Sequence, residues 1–283
     1  MRNLTVVATP DTEALMRVFR SAFMEKTATW SVLVEVVENR DRAYDLVEGS
    51  DDAYVMTPRY EDVLFDEVDF PSVPSEITQG CDMLARSGPD FVGMSLLGKT
   101  TIQEIEDELM PIYDAKVVIF GTNSLALDCA YHAARAGVSE IILLDSSKER
   151  ALNNVEAFMD MFAKMRTKAV DTDQATFGHL SIKRAYEYAD IKFAVFDKAV
   201  RLTSRTDIVI NATPHHALPV SFLSRLELSQ NQIVCDLYDY DNLGPLVSLS
   251  SLASSDCVKA QNVYKRWGTS SAETLTDLMR DGL

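Results

Sequence analysis

Six residues near the middle of the chain, Gly121-Thr122-Asn123-Ser124-Leu125-Ala126, have the spacing of a turn on which a backbone closes around a phosphate. Such a turn runs glycine, any residue, glycine, two residues, then glycine or alanine, between a buried strand and a helix. Gly121 fits the tight turn, and Ala126 fits the place where helix packs closely on strand. Asn123 stands at the second glycine, where backbone meets pyrophosphate. Asparagine tolerates left-handed backbone better than most residues, but its side chain takes space there. The N-terminus of the following helix can present N–H groups to an anion. Asp145 closes the next strand, about 20 residues beyond the turn, where the pattern places an acid. A carboxylate there can accept both ribose hydroxyls and repels a 2′-phosphate, so NAD is expected in preference to NADP. The same carboxylate could instead cap the helix that starts at Lys148.

The pair His215-His216 follows a strand end at Asn211. Adjacent histidines point in different directions, so they do not form a metal pair, and no metal site is expected. One of them can act as acid or base near neutral pH; a loop histidine beside the cofactor is the plainer reading. The four cysteines, Cys81, Cys129, Cys235 and Cys257, make no C-x-x-C pair and are read as small buried apolar residues. A net charge of −16 argues against a nucleic-acid partner, because phosphate backbones need local cations. No apolar run is long enough to span a bilayer, and no secretory leader is recognised, so a cytoplasmic protein with no membrane partner is expected. The expected partner is a small-molecule substrate, with monomer or homodimer left open.

These residues need elements to hold them. Lys116–Phe120 is a continuous apolar run ending at Gly121, as a strand buried on both faces would be. A helix over Leu125–Ala136 stops at Gly137, a good C-cap. Strand Glu140–Leu144, helix Lys148–Met165, and strands Phe193–Phe196, Asp207–Asn211 and Gln232–Leu237 follow. That alternation predicts a parallel sheet with helices on both faces. Residues Thr167–Ile191 read as an insertion with a helix over Leu180–Ala189, and the chain closes in a helix, Ser271–Arg280. Upstream, strands at Leu4–Ala8, Trp30–Val37, Ala53–Thr57 and Phe91–Leu96 alternate with a helix starting at Pro10–Glu13 and a short one at Asp41–Val47. Asp62–Pro74 is acidic and proline-bearing and is read as irregular. A helix over Thr100–Tyr113 carries Ile102, Ile105, Leu109 and Ile112 on one face. The fold class is α/β. A substrate-type domain over residues 1–98, completed by the C-terminal helix 264–283, precedes a Rossmann-like NAD(P)-binding domain over 115–250.

At this point the chain resembles the shikimate dehydrogenase family. Lys116–Ala126 with Ala133–Val138 is similar to that family's cofactor turn and helix. Asp207-Ile208-Val209-Ile210-Asn211-Ala212-Thr213-Pro214 is close to its D-[IL]-V-I-N-A-T-P strand and loop. Val234–Leu237 followed by Gly244-Pro245-Leu246 resembles its next strand and T-P-L. The second half matches by motif, the first mainly by element order. The resemblance implies a nicotinamide cofactor held by Gly121, Thr122, Asn123, Ser124, Ala126, Asp145, Asn211, Ala212, Thr213 and Pro214. It also implies reduction of a small carbonyl compound in an interdomain cleft, where a lysine and an aspartate serve as the catalytic pair.

Both members of that pair are missing here. With prolines matched, Tyr60 holds the lysine position and Leu97 the aspartate position. The family's S-x-S substrate clamp has no counterpart near Ala8-Thr9-Pro10-Asp11, its glutamine falls near Ser270-Ser271, and His216-Ala217 replaces a glycine-methionine. Thr57, Arg59, Ser95 and Ser271 are the substrate-side candidates. Tyr60 with Lys99 is the weak catalytic candidate, since a tyrosine near a lysine can donate a proton. The expectation is a divergent NAD(P)-dependent oxidoreductase acting on a small hydroxylated or carboxylated substrate without the lysine–aspartate mechanism. The alternative is a non-catalytic binding protein that kept the fold.

Overall fold

The computed structural model describes residues 1–49, 51–108, 112–173, 189–196 and 203–280. Two six-stranded sheets organise them. The first combines β1 (Arg2–Ala8), β2 (Trp30–Val36), β3 (Ala53–Met56), β4 (Phe70–Pro71), β5 (Met83–Ser87) and β6 (Asp90–Met94), in the order β2-β1-β3-β5-β6-β4. β1 pairs in parallel with β2 and β3, whereas β5 runs antiparallel to both β3 and β6. The second sheet combines β7 (Lys116–Phe120), β8 (Glu140–Asp145), β9 (Asp190–Val195), β10 (Ile208–Asn211), β11 (Ile233–Asp236) and β12 (Asp256–Val258). Its order is β12-β11-β10-β7-β8-β9, and every pairing is parallel. The chain leaves β7 toward β8 on one side and returns to β10 on the other, so a crevice opens between the C-terminal ends of β7 and β10. Open parallel sheets bind ligands at such a switch point.

The helices are α1 (Glu13–Lys26), α2 (Arg40–Val47), α3 (Glu61–Asp66), α4 (Val73–Thr78), α5 (Leu97–Glu108), α6 (Ser124–Ala136), α7 (Lys148–Asp173), α8 (Val220–Leu223), α9 (Pro245–Ala253) and α10 (Ala260–Arg280). α10 returns across the chain to pack on α1 and α5. Its Trp267 ring lies 4.6 Å from that of Phe19, and Gly268 presses against the Phe19 carbonyl, a separation that leaves no room for a Cβ. One apolar core runs from Leu4, Val6 and Phe19 through Ile102 and Ile105 to Val117, Ile119 and Ile210. The link between sheets is therefore a packed interior.

Several sequence expectations change. Asp62–Pro74 is largely ordered: α3 begins at Glu61, β4 follows, and α4 opens at Val73. Ser72 caps α4 through Ser75 N–H, and Pro74 sits in the first turn, where its missing N–H costs nothing. Asp62, which opens the stretch read as irregular, is a first-turn residue of α3, where negative charge suits the helix dipole. Strand β5 and helix α9 had no periodic signal. The bridging helix begins at Leu97 instead of Thr100, α7 extends to Asp173, β9 begins at Asp190, and the last helix begins at Ala260. The expected helix over Leu180–Ala189 lies outside the described residues, apart from Ala189.

Candidate active site in the crevice between the sheets

The Gly121 turn depends on its missing side chain. Gly121 has φ +119°, and an added Cβ would meet Thr213 Oγ1 at 2.6 Å. Thr213 Oγ1 in turn donates to the Phe120 carbonyl at 2.9 Å, so the β7 and β10 turns lie against each other. Asn123 ties them further. Its Nδ2 donates to the Ala212 carbonyl at 3.0 Å, and its Oδ1 accepts the Ala126 N–H at 3.0 Å. The backbone of Asn123 is extended (φ −75°, ψ 174°), so its tolerance of left-handed backbone is not used. It serves as the N-cap of α6.

Asp145 is buried at the end of β8. Its carboxylate accepts from Thr122 Oγ1 at 2.6 Å, from Ser147 N–H at 2.9 Å and from both Nε and Nη2 of Arg150. Burial pushes its pKa up, but these donors, Arg150 foremost, hold it below the usual carboxylate range. The cap of α7 is Ser147, whose Oγ accepts Arg150 N–H, and not Asp145. A cavity of about 290 Å³ opens here, lined by Gly121, Asp145, Arg150, Phe196 and Thr213. A second, of about 390 Å³, lies between α3–α4 and α6–α7 and includes Arg59, Glu61, Ser124 and Tyr238. Thr122, Asn123, Asn154 and Pro214 line both, so the two form one groove along the crevice.

Beside Pro214, His215 Nε2 is 2.8 Å from Asp236 Oδ2. Asp236 is buried at the end of β11, and its Oδ1 accepts from Asn211 Nδ2 at 2.8 Å. The hydrogen bond to Asp236 raises the His215 pKa. Asn211 and Asp236 are register partners on adjacent parallel strands. A histidine oriented by a buried acid can exchange a proton at its other ring nitrogen. The sequence marked His215 and missed Asp236. The available signal was an acid at the end of an apolar strand, which periodicity assigns to no partner.

The first sheet contributes differently. Tyr60 is buried in an apolar cluster with Tyr54 and Met56, and the Arg59 guanidinium lies 5.6 Å over its ring. Lys99 lines another cavity, with Ser95, between α4, α5 and α6. Tyr60 and Lys99 are therefore not brought together, which removes the physical basis for pairing them. Thr57 Oγ1 faces inward, 2.7 Å from Thr12 Oγ1. Ser271 is fully buried in α10. Of the substrate-side candidates, only Arg59 reaches the groove.

Three buried carboxylates, none singled out from sequence, stand where the sheets meet: Glu61 on α3, Asp82 before β5 and Asp128 on α6. Asp82 Oδ2 accepts Leu96 N–H at 2.8 Å and Leu97 N–H at 2.6 Å, while Asp128 Oδ2 accepts Gly98 N–H at 2.9 Å. Leu97 brings no carboxylate of its own, but one from the neighbouring strand reaches its backbone. Burial, then the charge of Asp128, raises Asp82 to a pKa of about 8. Burial and the charges of Asp82 and Asp128 push Glu61 well up, against the pull of Leu125 N–H. Among the described residues no group of three or more His, Cys, Asp or Glu side chains is arranged to hold a metal. No helix among them is long and apolar enough to cross a membrane.

A mixed sheet facing an all-parallel Rossmann-like sheet, with a groove at the switch point, defines a two-sheet α/β protein. More narrowly, the fold is that of the shikimate and quinate dehydrogenases over nearly the full chain. Shikimate 5-dehydrogenase from Listeria monocytogenes, solved with shikimate and NAD, matches 98% of this chain and 92% of its own at TM-score 0.70 and 14% identity. Quinate dehydrogenase from Corynebacterium glutamicum, solved with NAD, matches 98% and 94% at TM-score 0.70 and 11% identity. The 5-ketofructose reductase of Gluconobacter sp. strain CHM43 matches 98% and 99% at TM-score 0.66 and 15% identity. No protein-family model and no curated protein sequence matches the chain.

Proposed function

We propose that the chain is a divergent NAD(P)-dependent oxidoreductase acting on a small hydroxylated substrate, with His215 and Asp236 moving the proton that the lysine–aspartate pair moves elsewhere in this fold. The carrying observation is the C-terminal edge of the parallel sheet. A glycine turn closed on Thr213, a buried strand-end acid and a histidine held by a second buried acid share it, and Pro214, next to that histidine, lines the groove. The adenosine end fits a dinucleotide. Gly121, packed against Thr213, lines the cavity with its backbone, and Asp145 with Ser146 and Arg150 offers a ribose seat beside it. When bound, the nicotinamide supplies the hydride acceptor or donor. His215 accepts the hydroxyl proton through Nδ1, the ring nitrogen with no hydrogen-bond partner among the described residues. Asp236 fixes the opposite nitrogen and stabilises the charged ring.

NAD is the proposed cofactor, from the Asp145 carboxylate. The Arg150 guanidinium beside it offsets repulsion of a 2′-phosphate, and a solved relative of the same fold binds NADP+. Both nucleotides therefore belong in the test, which is the thermal shift of the protein with NAD, NADH, NADP and NADPH. A ligand that binds only the native state raises its stability. A shift that is lost in Asp145→Ala supports the reading, and no shift with any of the four at millimolar concentration ends it.

A second reading, binding without turnover, is favoured by the α6 N-terminus. The Ala126 N–H is held by Asn123, and the Leu125 N–H is directed at Glu61. These are amides a pyrophosphate would use, and a structure with them occupied suits a ligand other than a dinucleotide. Nucleotide binding without substrate-dependent hydride transfer in Asn123→Gly as well as in the parent would favour it.

A further inference from the structure

The cavity of about 390 Å³ is lined by residues with polar atoms that nothing among the described residues satisfies. Glu61 Oε2 and Tyr238 Oη are both buried and have no hydrogen-bond partner among the described residues. Both residues line the cavity, and both are more than nine-tenths buried. Behind them, Tyr264 Oη is also without a hydrogen-bond partner, while Asp128 Oδ1 lies 3.4 Å from His132 Nε2 and Asp82 faces the Trp267 indole N–H. Buried polar groups are ordinarily paired, and a cluster of exceptions at a cavity wall points to a missing ligand. The two orphaned residues that line the cavity are a carboxylate and a hydroxyl, and Glu61 feels Asp82, Asp128 and Asp62 as further negative charge. Tyr238 and Tyr264 feel Asp11 as well. The one cation lining the cavity, Arg59, is exposed at its mouth, above the Tyr60 ring.

The geometry points to a seat for a ligand bearing an ammonium group, with Glu61 Oε2 and Tyr238 Oη as its direct hydrogen-bond acceptors in the groove. The ligand class is a small hydroxylated amine. This rests on the dehydrogenase reading only in taking the groove as the substrate's place. A carboxylate ligand, such as the shikimate in the Listeria structure, would keep Glu61 protonated and add a further negative charge to the field of Asp128 and Asp62. An ammonium donates up to three hydrogen bonds, answers the orphaned oxygens and lets Glu61 ionise. A cavity of about 390 Å³ accommodates a six-membered ring with its substituents.

The test uses three rings that differ in charge: glucosamine, glucose and glucuronate. Each is titrated into the whole chain by calorimetry near neutral pH, in two buffers of different ionisation enthalpy. Glucosamine should bind most tightly, with release of about one proton per ligand as Glu61 ionises. Glu61→Gln should abolish the proton release and weaken glucosamine about tenfold to a hundredfold, the loss of a charge-assisted hydrogen bond. Tyr238→Phe gives an independent check if the first variant unfolds, and should weaken glucosamine while leaving the proton release in place. Equal binding of glucose, preference for glucuronate, or no binding of any ring overturns the assignment. The nucleotide titration runs in parallel. A chain that binds no nucleotide yet selects glucosamine retires the dehydrogenase reading and keeps this site. A chain that binds nucleotide without selecting glucosamine does the reverse.

Discussion

The two edges of the groove are built on different physical principles. Along β7, β8 and β10 the site is mainly backbone. Gly121 needs a positive φ, Thr213 clasps the Phe120 carbonyl, and Asn123 bridges to Ala212. Across the groove, at α3 and α4, it is side chain: Arg59, Glu61 and Asp62 line it, with Asp82 and Asp128 acting on Glu61 from behind. Backbone sites tolerate little change in residue type, because a glycine turn admits few replacements. Side-chain sites can exchange one chemistry for another within the same fold. An α/β scaffold can therefore keep its nucleotide edge while its substrate edge takes a new sign of charge.

The sharpest way to break this comparison is to disable the one side-chain chemistry on the backbone edge. His215→Gln should lower kcat by about 10²–10⁴-fold and remove a pH inflection, while nucleotide thermal shifts persist. Because Asp236 raises the histidine's pKa, the parent's oxidation rate should rise with pH through an inflection above that of a free imidazole. An unchanged profile in the variant would remove His215 from the chemistry.

Next in size is the acid cluster on the opposite edge. Asp82 keeps its proton in the folded chain to about pH 8 but loses it near 4 when unfolded. Over that window the folded state binds more protons, so the cluster's contribution to stability is full at low pH and is lost as pH rises. Titration of Asp82 is coupled to that of Glu61, which the charge of Asp82 helps to push up. Unfolding free energies from denaturant titration should fall between about pH 5 and 8 by on the order of a few kcal/mol, and Asp82→Asn should flatten the slope. A flat parent profile would show the carboxylates are less buried in solution.

Gly121→Ala should cost about 1–3 kcal/mol through positive-φ strain and the clash with Thr213, with loss of any nucleotide shift. A variant as stable as the parent would mean that the turn can relax. The smallest effect concerns neither edge. Arg266 on α10 reaches Glu104 and Asp107 on α5, each at 2.6 Å, and Arg266→Ala should cost about 1 kcal/mol without moving ligand affinity. A change in affinity would show that α10 senses the groove.

The parallel sheet was legible because its strands are buried on both faces and read as unbroken apolar runs, as Val117–Phe120 and Ile208–Ile210 do. The first sheet was harder. α4 is only six residues long and hides behind a proline, and β5 mixes Arg86 and Ser87 into its run. On the site, the glycine turn, Asp145 and His215 announced themselves by local spacing. Asp236 and the Glu61–Asp82–Asp128 set did not, because their partners lie far along the chain: 21 residues separate His215 from Asp236, and 30 separate Gly98 from Asp128. Arg150 was passed over for a simpler reason, since a helix-surface arginine carries no mark of the acid it grips.

The start of α5 is gripped from both sides, by Asp82 of the first sheet at Leu96 and Leu97 and by Asp128 of α6 at Gly98. Mechanically this is a hinge pin clamped by both leaves, and neither leaf can swing without loosening one clamp. Strain from a ligand wedged in the groove converges on three consecutive peptide groups. Their amide hydrogens become a built-in gauge. Exchange at Leu96 and Leu97 reports slack on one leaf, exchange at Gly98 slack on the other, and the difference between them reads the direction in which the molecule opens.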